Sequence, residues 1–209
     1  MIDAQLNKIL KPILGVFVKK LSKFNINPNT ISFIGFVFGL CCFYSIANAM
    51  FIYAFIFLCL NRLCDGLDGA MARLVGETDL GAFYDIILDF LFYSLFPLSF
   101  IILDLDNAYS ICFLLFSFVA TQTSFLASAW IIEKNKLSIS DGQKKSFFYA
   151  GGITEGFETI ICFIMMIFLN EFVSYIAYIF GILCWITFIT RVLFIRKLLK
   201  PKNTNLFFS

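Results

Sequence analysis

Long apolar runs separated by short polar breaks dominate the chain. A helix rises about 1.5 Å per residue, so a bilayer core of about 30 Å needs about 20 apolar residues. Six segments meet that length: 30–50, 51–74, 81–103, 107–132, 152–170 and 172–198. The clearest breaks are "ETD", "DLDN", "EKNKLSISDGQKK" and "NE". The pattern predicts an all-α membrane protein with six transmembrane helices. Ahead of them, Ile2, Leu6, Ile9, Ile13, Val16 or Phe17, and Leu21 recur every three or four residues, with lysines mostly between them. That periodicity predicts an amphipathic interfacial helix whose lysines meet anionic membrane lipids. A helix packed against the protein's own spans is the alternative, and Pro12 and Gly15 would bend either. The stretch lacks the continuous apolar core and small-residue cleavage site of a signal peptide. The expected organisation is an amphipathic juxtamembrane helix over 1–23 and a six-helix transmembrane domain over 24–209. "NINPNT" turns the chain into the first span, with Thr30 or Asn29 as the expected N-cap.

Composition agrees with the pattern. Of 209 residues, 60% are hydrophobic and 14% charged, against about 25% charged in soluble domains. Mean hydropathy is +0.89. The placement of charge then sets orientation. Lys8, Lys11, Lys19, Lys20 and Lys23 precede the first span, Lys134, Lys136, Lys144 and Lys145 follow the fourth, and Arg196, Lys197, Lys200 and Lys202 close the chain. The opposite loops carry Asp104, Asp106 and Glu171 without Lys or Arg. The positive-inside rule places both termini in the cytoplasm. The seven cysteines lie in apolar runs with no CxxC pair, so they suggest neither disulfides nor zinc. Histidine is absent, so proton transfer and metal binding would fall to carboxylates. No nucleic-acid partner is expected.

One stretch breaks the apolar rule. "RLCDGLDGAMARLVGETDLGAFYDIILDF" (62–90) carries Asp65, Asp68, Asp85 and Asp89 between two membrane-like runs. A carboxylate at the bilayer centre costs about 3 kcal/mol on insertion scales. Asp65 and Asp68 fall in the last turns of the second helix, and Asp85 and Asp89 in the first turns of the third. Spacings of i,i+3 and i,i+4 put each pair on one helix face, and the short turn lets the faces meet. Four carboxylates then converge near the cytoplasmic surface and need cations among them. An all-oxygen ligand set suits Mg²⁺ or Mn²⁺, not Zn²⁺. Glu77 and Asp79 read as solvated loop charges. Gly66, Gly69, Ala70 and Ala72 leave one side of the second helix nearly bare, as Gly81 and Ala82 do for the third. This serves close helix packing or the approach of a bulky ligand. Arg73 can reach a phosphate or a carboxylate, and Arg62 either pairs with a carboxylate or contacts substrate.

Asp65-xx-Asp68-Gly69-xx-Ala72-Arg73, seven residues, then Gly81-xxx-Asp85-xxx-Asp89 resembles the signature of the CDP-alcohol phosphatidyltransferase family. The gap is one residue shorter than the family's commonest form, a variation the family tolerates. The lead helix, the Pro28-Asn29 entry and the six spans resemble its architecture. The resemblance implies that the 24–209 domain is catalytic. It implies that Asp65, Asp68 and Asp85 are the main ligands of two divalent cations, Mg²⁺ or Mn²⁺, with Asp89 contributing to the second. Gly69, Ala72 and Gly81 would make room for a CDP-linked lipid, and Arg73 would contact phosphate. Asp89 would also be the general base. The expected reaction transfers a phosphatidyl-type group to the hydroxyl of a small polar alcohol and releases CMP. A homodimer is expected by the same resemblance alone.

The acceptor is less legible. Glu155 and Glu158 either stabilise the start of the fifth helix, or line an acceptor pocket or pair with Arg191. Lys144, Lys145 and Arg191 favour a phosphorylated acceptor, whereas the two glutamates favour an amine or polyol. Phe90 follows Asp89 where the glycerophosphate-transferring branch carries a lysine, which lowers that reading. The alternative from another class is a cation- or proton-coupled transporter using the buried carboxylates. Such sites are expected near the midplane in repeated halves, and this chain shows no internal repeat.

Overall fold

The computed structural model describes Val18, residues 26–135, Gly152 and residues 154–199. They form α1 (Pro28–Ala47), α2 (Phe51–Val75), α3 (Asp79–Leu103), α4 (Ala108–Lys134), α5 (Gly156–Phe168) and α6 (Val173–Leu199), with 3-10 turns at Leu105–Asn107 and Asn170–Phe172. No strand occurs among the described residues.

Among the described residues four helices, α1, α3, α4 and α6, are long and apolar enough to cross a membrane, where the sequence predicts six. The other two depart for separate reasons. The 25 residues of α2 give it the length, but Arg62, Asp65 and Asp68 interrupt its apolar run. α5 has only 13 residues, about 20 Å of helix, where the apolar run predicts 152–170. Its approach is drawn inward. Thr154 donates to Thr187 Oγ1 from its backbone N–H at 3.2 Å and its hydroxyl at 3.0 Å. Gly152 lies on the same residue at φ +98°, and a Cβ there would collide with the Thr187 methyl. A capping box then starts α5, with Glu158 accepting the Glu155 backbone N–H at 3.1 Å. Of the expected helix at 1–23, only Val18 is described. It is helical and buried with Ile31, Cys64 and Met71.

Helix starts follow local chemistry. α1 begins at Pro28, whose fixed φ suits the first helical position. The cap is Asn27, not Thr30 or Asn29: its side chain accepts the Asn29 N–H at 3.0 Å. α3 begins at Asp79 behind Thr78, whose hydroxyl accepts the Gly81 N–H at 3.1 Å.

The packing makes two groups. α1 lies against both α2 and α3, whose backbones approach each other little, and α4 packs along α6. Two glycines let α1 in so closely. A Cβ on Gly35 would stand 2.9 Å from Cys64 Cβ, and one on Gly39 would stand 2.7 Å from the Phe92 ring. This is the small-xxx-small packing of membrane helices. The groups meet where α3 lies against α4 and where α5 touches α2 and α6. Phe92, Phe96 and Phe100 form a stripe one turn apart on α3, and Phe163 of α5 stacks on Phe96 with ring centroids 3.9 Å apart. At the far end, Ser174 of α6 donates to Asn107 Oδ1 at 2.8 Å.

Burial is inverted relative to a water-soluble domain. Ser99, Ser117, Thr187 and Arg191 are buried, while Ile52, Tyr53, Ile102, Ile179 and many like them face outward. Contiguous outward apolar surface of this kind marks contact with lipid. The chain is an all-helical membrane protein.

Candidate active site

Three helices converge on the acidic residues. α2 presents Arg62, Asp65 and Asp68 at steps of three, so they share a face. α3 presents Asp85 and Asp89 at a step of four. α1 closes the third side with Ser32, Gly35 and Phe36, and all of these line one small notch. One carboxylate oxygen from each of Asp65, Asp68 and Asp85 lies within 4.8 Å of the other two. Asp68 is 5% exposed, and its Oδ1 has no hydrogen-bond partner among the described residues. Buried carboxylate oxygens are seldom left so, because the desolvation cost is not repaid.

Asp89 lines the same notch but is held differently. Its Oδ1 accepts from Arg62 Nη2 at 2.8 Å. The same guanidinium lies 3.6 Å from Asp65, donates to Asn61 Oδ1 at 2.8 Å and reaches the Tyr93 hydroxyl at 3.4 Å. Its carbon stands 5.0 Å from the centre of the Phe92 ring, within cation–π range. Asn61 is anchored in turn, donating to the Gly35 carbonyl at 2.8 Å. Arg62 is thus paired with carboxylates, the first of its two sequence readings.

The donors fit a divalent cation. They are oxygens only, one of them orphaned, around a space of about 20 Å³, about what one water or small ion occupies. Asp65, Asp68 and Asp85 are the residues that would hold it, which suits Mg²⁺ or Mn²⁺.

Two larger cavities flank the notch. One, of about 930 Å³, is bordered by Asp68 and Asp85 and lined by Gly69, Ala72, Arg73 and Gly81, with Asn27, Pro28 and Asn29 opposite. The expected donor-site residues therefore share one cavity. The Gly69 side is open, a Cβ there meeting nothing closer than Arg73 at 3.5 Å. The other cavity, of about 510 Å³, runs between α3, α4, α5 and α6. Phe90 and Tyr93, on the turn after Asp89, form part of its wall. Arg191 and Glu155 line it too, among Phe118, Phe125, Phe194 and Ile195. Arg191 is buried and donates to the Thr121 carbonyl at 2.7 Å and the Ser124 hydroxyl at 3.0 Å. Glu158 does not line this cavity; its carboxylate serves the helix start. Lys144 and Lys145 lie outside the described residues.

Sequence reasoning missed the contribution of α1. Ser32 and Gly35 of α1, with Asn61 of α2 bonded to the Gly35 carbonyl, build the notch without being acidic, and the Gly35-xxx-Gly39 spacing was the available signal. Thr187, which seats the segment before α5, carried none.

A helical membrane chain with a carboxylate notch between two cavities is the class this geometry defines. The chain belongs to the CDP-alcohol phosphatidyltransferase family, whose model matches residues 25–193. As a member it is a transferase of phospholipid biosynthesis. It is 42% identical over 193 residues to the inner membrane protein YnjF of Escherichia coli, covering 92% of this chain and 94% of that one. An uncharacterized protein of Aquifex aeolicus is 37% identical over 84 residues, 39% of this chain and 40% of its own. The fold is similar to that of the phosphatidylinositol phosphate synthase PgsA1 of Mycobacterium tuberculosis, crystallised with CDP-DAG. The TM-score is 0.69 at 17% identity, over 88% of this chain and 94% of that one.

Proposed function

We propose that the protein transfers a phosphatidyl-type group from a CDP-linked lipid, such as CDP-diacylglycerol, to the hydroxyl of a polar alcohol, releasing CMP. One observation carries this reading: of three clustered carboxylates, Asp85 and Asp68 with its orphaned buried oxygen border a 930 Å³ cavity lined by Gly69, Ala72, Arg73 and Gly81. Phosphoryl transfer asks for positioning and charge neutralisation more than covalent help. The small residues of α2 and α3 give the nucleotide and pyrophosphate room beside the ligand face, and Arg73 is set to meet a phosphate. Divalent cations, two by the family resemblance, supply the neutralisation when bound. Asp65, Asp68 and Asp85 would hold them, with Asp89 contributing to the second. Asp89 takes the proton of the acceptor hydroxyl. The freed oxygen attacks the lipid-side phosphorus, the bond from that phosphorus to the bridging oxygen breaks, and CMP leaves with that oxygen.

The acceptor enters through the 510 Å³ cavity, whose Phe90 and Tyr93 wall adjoins Asp89 on α3. Glu155 and Arg191 bring one charge of each sign to it. The topology that goes with this reading has six crossings, α2 and α5 completing the bundle, and both termini cytoplasmic. Arg73, Lys134, Arg196 and Lys197 close helices at one end, while Asp104, Asp106 and Glu171 occupy turns at the other. The likeness to YnjF supports a bacterial inner membrane.

The test is CMP release from CDP-diacylglycerol by the purified full-length protein with Mg²⁺ or Mn²⁺, across inositol phosphate, glycerol phosphate, serine and amino alcohols. Release that needs the cation and is lost in Asp89→Asn is the expected result. Solute uptake that needs the four aspartates, with no CMP formed, would sink the reading in favour of a transporter.

A further inference from the structure

We propose that Arg62 is a positioning residue for Asp89. Its guanidinium is built into the acidic notch to hold the α3 carboxylate beside the ligand face of α2. This rests on the reading of Asp89 as the base. The two helices that carry the carboxylates approach each other little, because α1 lies against both. Across that gap runs the Arg62–Asp89 ion pair at 2.8 Å. Nothing about Arg62 is loosely placed. Its Nε is spent on Asn61, itself tied to α1 through the Gly35 carbonyl. One face of the fork meets Asp65 and Tyr93, the other Asp89, and the Phe92 ring covers its plane. A lysine carries one compact ammonium instead of a planar fork, so it does not reproduce the arrangement in which Nε meets Asn61 while Nη2 meets Asp89.

Charge sharpens the inference. Among the described residues, four carboxylates and one basic side chain, Arg62, line the notch. Arg62 therefore has two effects of opposite sign. It orients Asp89 for proton transfer, and it lowers the affinity of the remaining carboxylates for a cation by standing among them. A residue that only braced the fold would strengthen both functions.

The experiment uses full-length protein in detergent micelles and two readouts: Mn²⁺ binding followed by electron paramagnetic resonance of the free ion, and CMP release. Arg62→Met should bind Mn²⁺ more tightly, on the order of tenfold, while CMP release falls on the order of a hundredfold, the scale of a misplaced catalytic group. Arg62→Lys should return Mn²⁺ affinity to near the wild-type value and recover only part of the turnover. Parallel loss of Mn²⁺ affinity and turnover in Arg62→Met, or no change in either, overturns the proposal. If the wild type releases no CMP with any alcohol, the reaction reading fails. The Mn²⁺ arm still decides this one, since unchanged or weaker binding by Arg62→Met refutes it.

Discussion

Replacing Asp68 by Asn should make the cation-free protein more stable and the cation-loaded protein less so. One oxygen of Asp68 lies within 4.8 Å of oxygens on Asp65 and Asp85. At an effective dielectric constant of about 20, two unit charges at that separation repel by about 3.5 kcal/mol. Arg62 beside Asp65, and solvent at the half-buried Asp65 and exposed Asp85, screen much of this. The orphaned Oδ1 of the 5% exposed Asp68 adds a cost of about 1–3 kcal/mol. An amide keeps the shape, removes the charge and gives the neighbouring carboxylates a donor. A net gain of about 2 kcal/mol without cation is the expected size, about 4–8 °C in melting temperature for a chain of this length. In the wild type, cation at a hundred times its Kd contributes about 2.7 kcal/mol in the other direction. The two melting curves should therefore exchange order between EDTA and saturating Mn²⁺. With the exposed Cys59 and Cys112 and the half-buried Cys41 replaced by Ser in both proteins, the buried Cys42, Cys162 and Cys184 make a thiol-reactive dye a suitable reporter of unfolding in detergent. A lower melting temperature for Asp68→Asn in EDTA, or a Mn²⁺ shift equal to that of the wild type, would refute the account of Asp68 as a strained cation ligand.

Other substitutions test the frame around the site. Gly39→Ala puts a Cβ 2.7 Å from the ring of Phe92 and should cost about 1–3 kcal/mol by overpacking. Adding Phe92→Leu should recover part of that, with a coupling above about 0.5 kcal/mol in a double-mutant cycle read by thermal unfolding; strict additivity would argue against the contact. Gly152→Ala meets both a positive φ and the Thr187 methyl, so its melting temperature should drop by several degrees, and Thr187→Ser on that background should restore only part of the loss. Phe90→Lys places a cation on the wall of the 510 Å³ cavity, and CMP release should shift towards glycerol phosphate over serine relative to the wild type. An unchanged preference would remove that cavity from the acceptor's path.

How far the sequence reaches depends on where the information is local. Steps of three and four along one helix put Asp65 with Asp68 and Asp85 with Asp89 whatever else the chain does, so the acidic notch was legible from spacing. The two faces were expected to meet because the turn between them is short. They meet instead with α1 set against both helices, and it is Arg62 that spans them. That arrangement depends on Gly35 and Gly39, whose value appears only once Cys64 and Phe92, far along the chain, stand opposite. Hydropathy placed the start of α5 too early for a related reason. An apolar window counts residues but does not see that Thr154 and Gly152 are pinned to Thr187, over 30 positions further on, which pulls polar chain inward and delays the helix to Gly156. The same limit explains Glu158, a carboxylate read equally well as pocket or cap until the Glu155 N–H was seen pointing at it. Helix-local chemistry is written in short spacings. What decides the site's shape here is the fit between helices, and that is carried by small residues whose partners lie far along the chain.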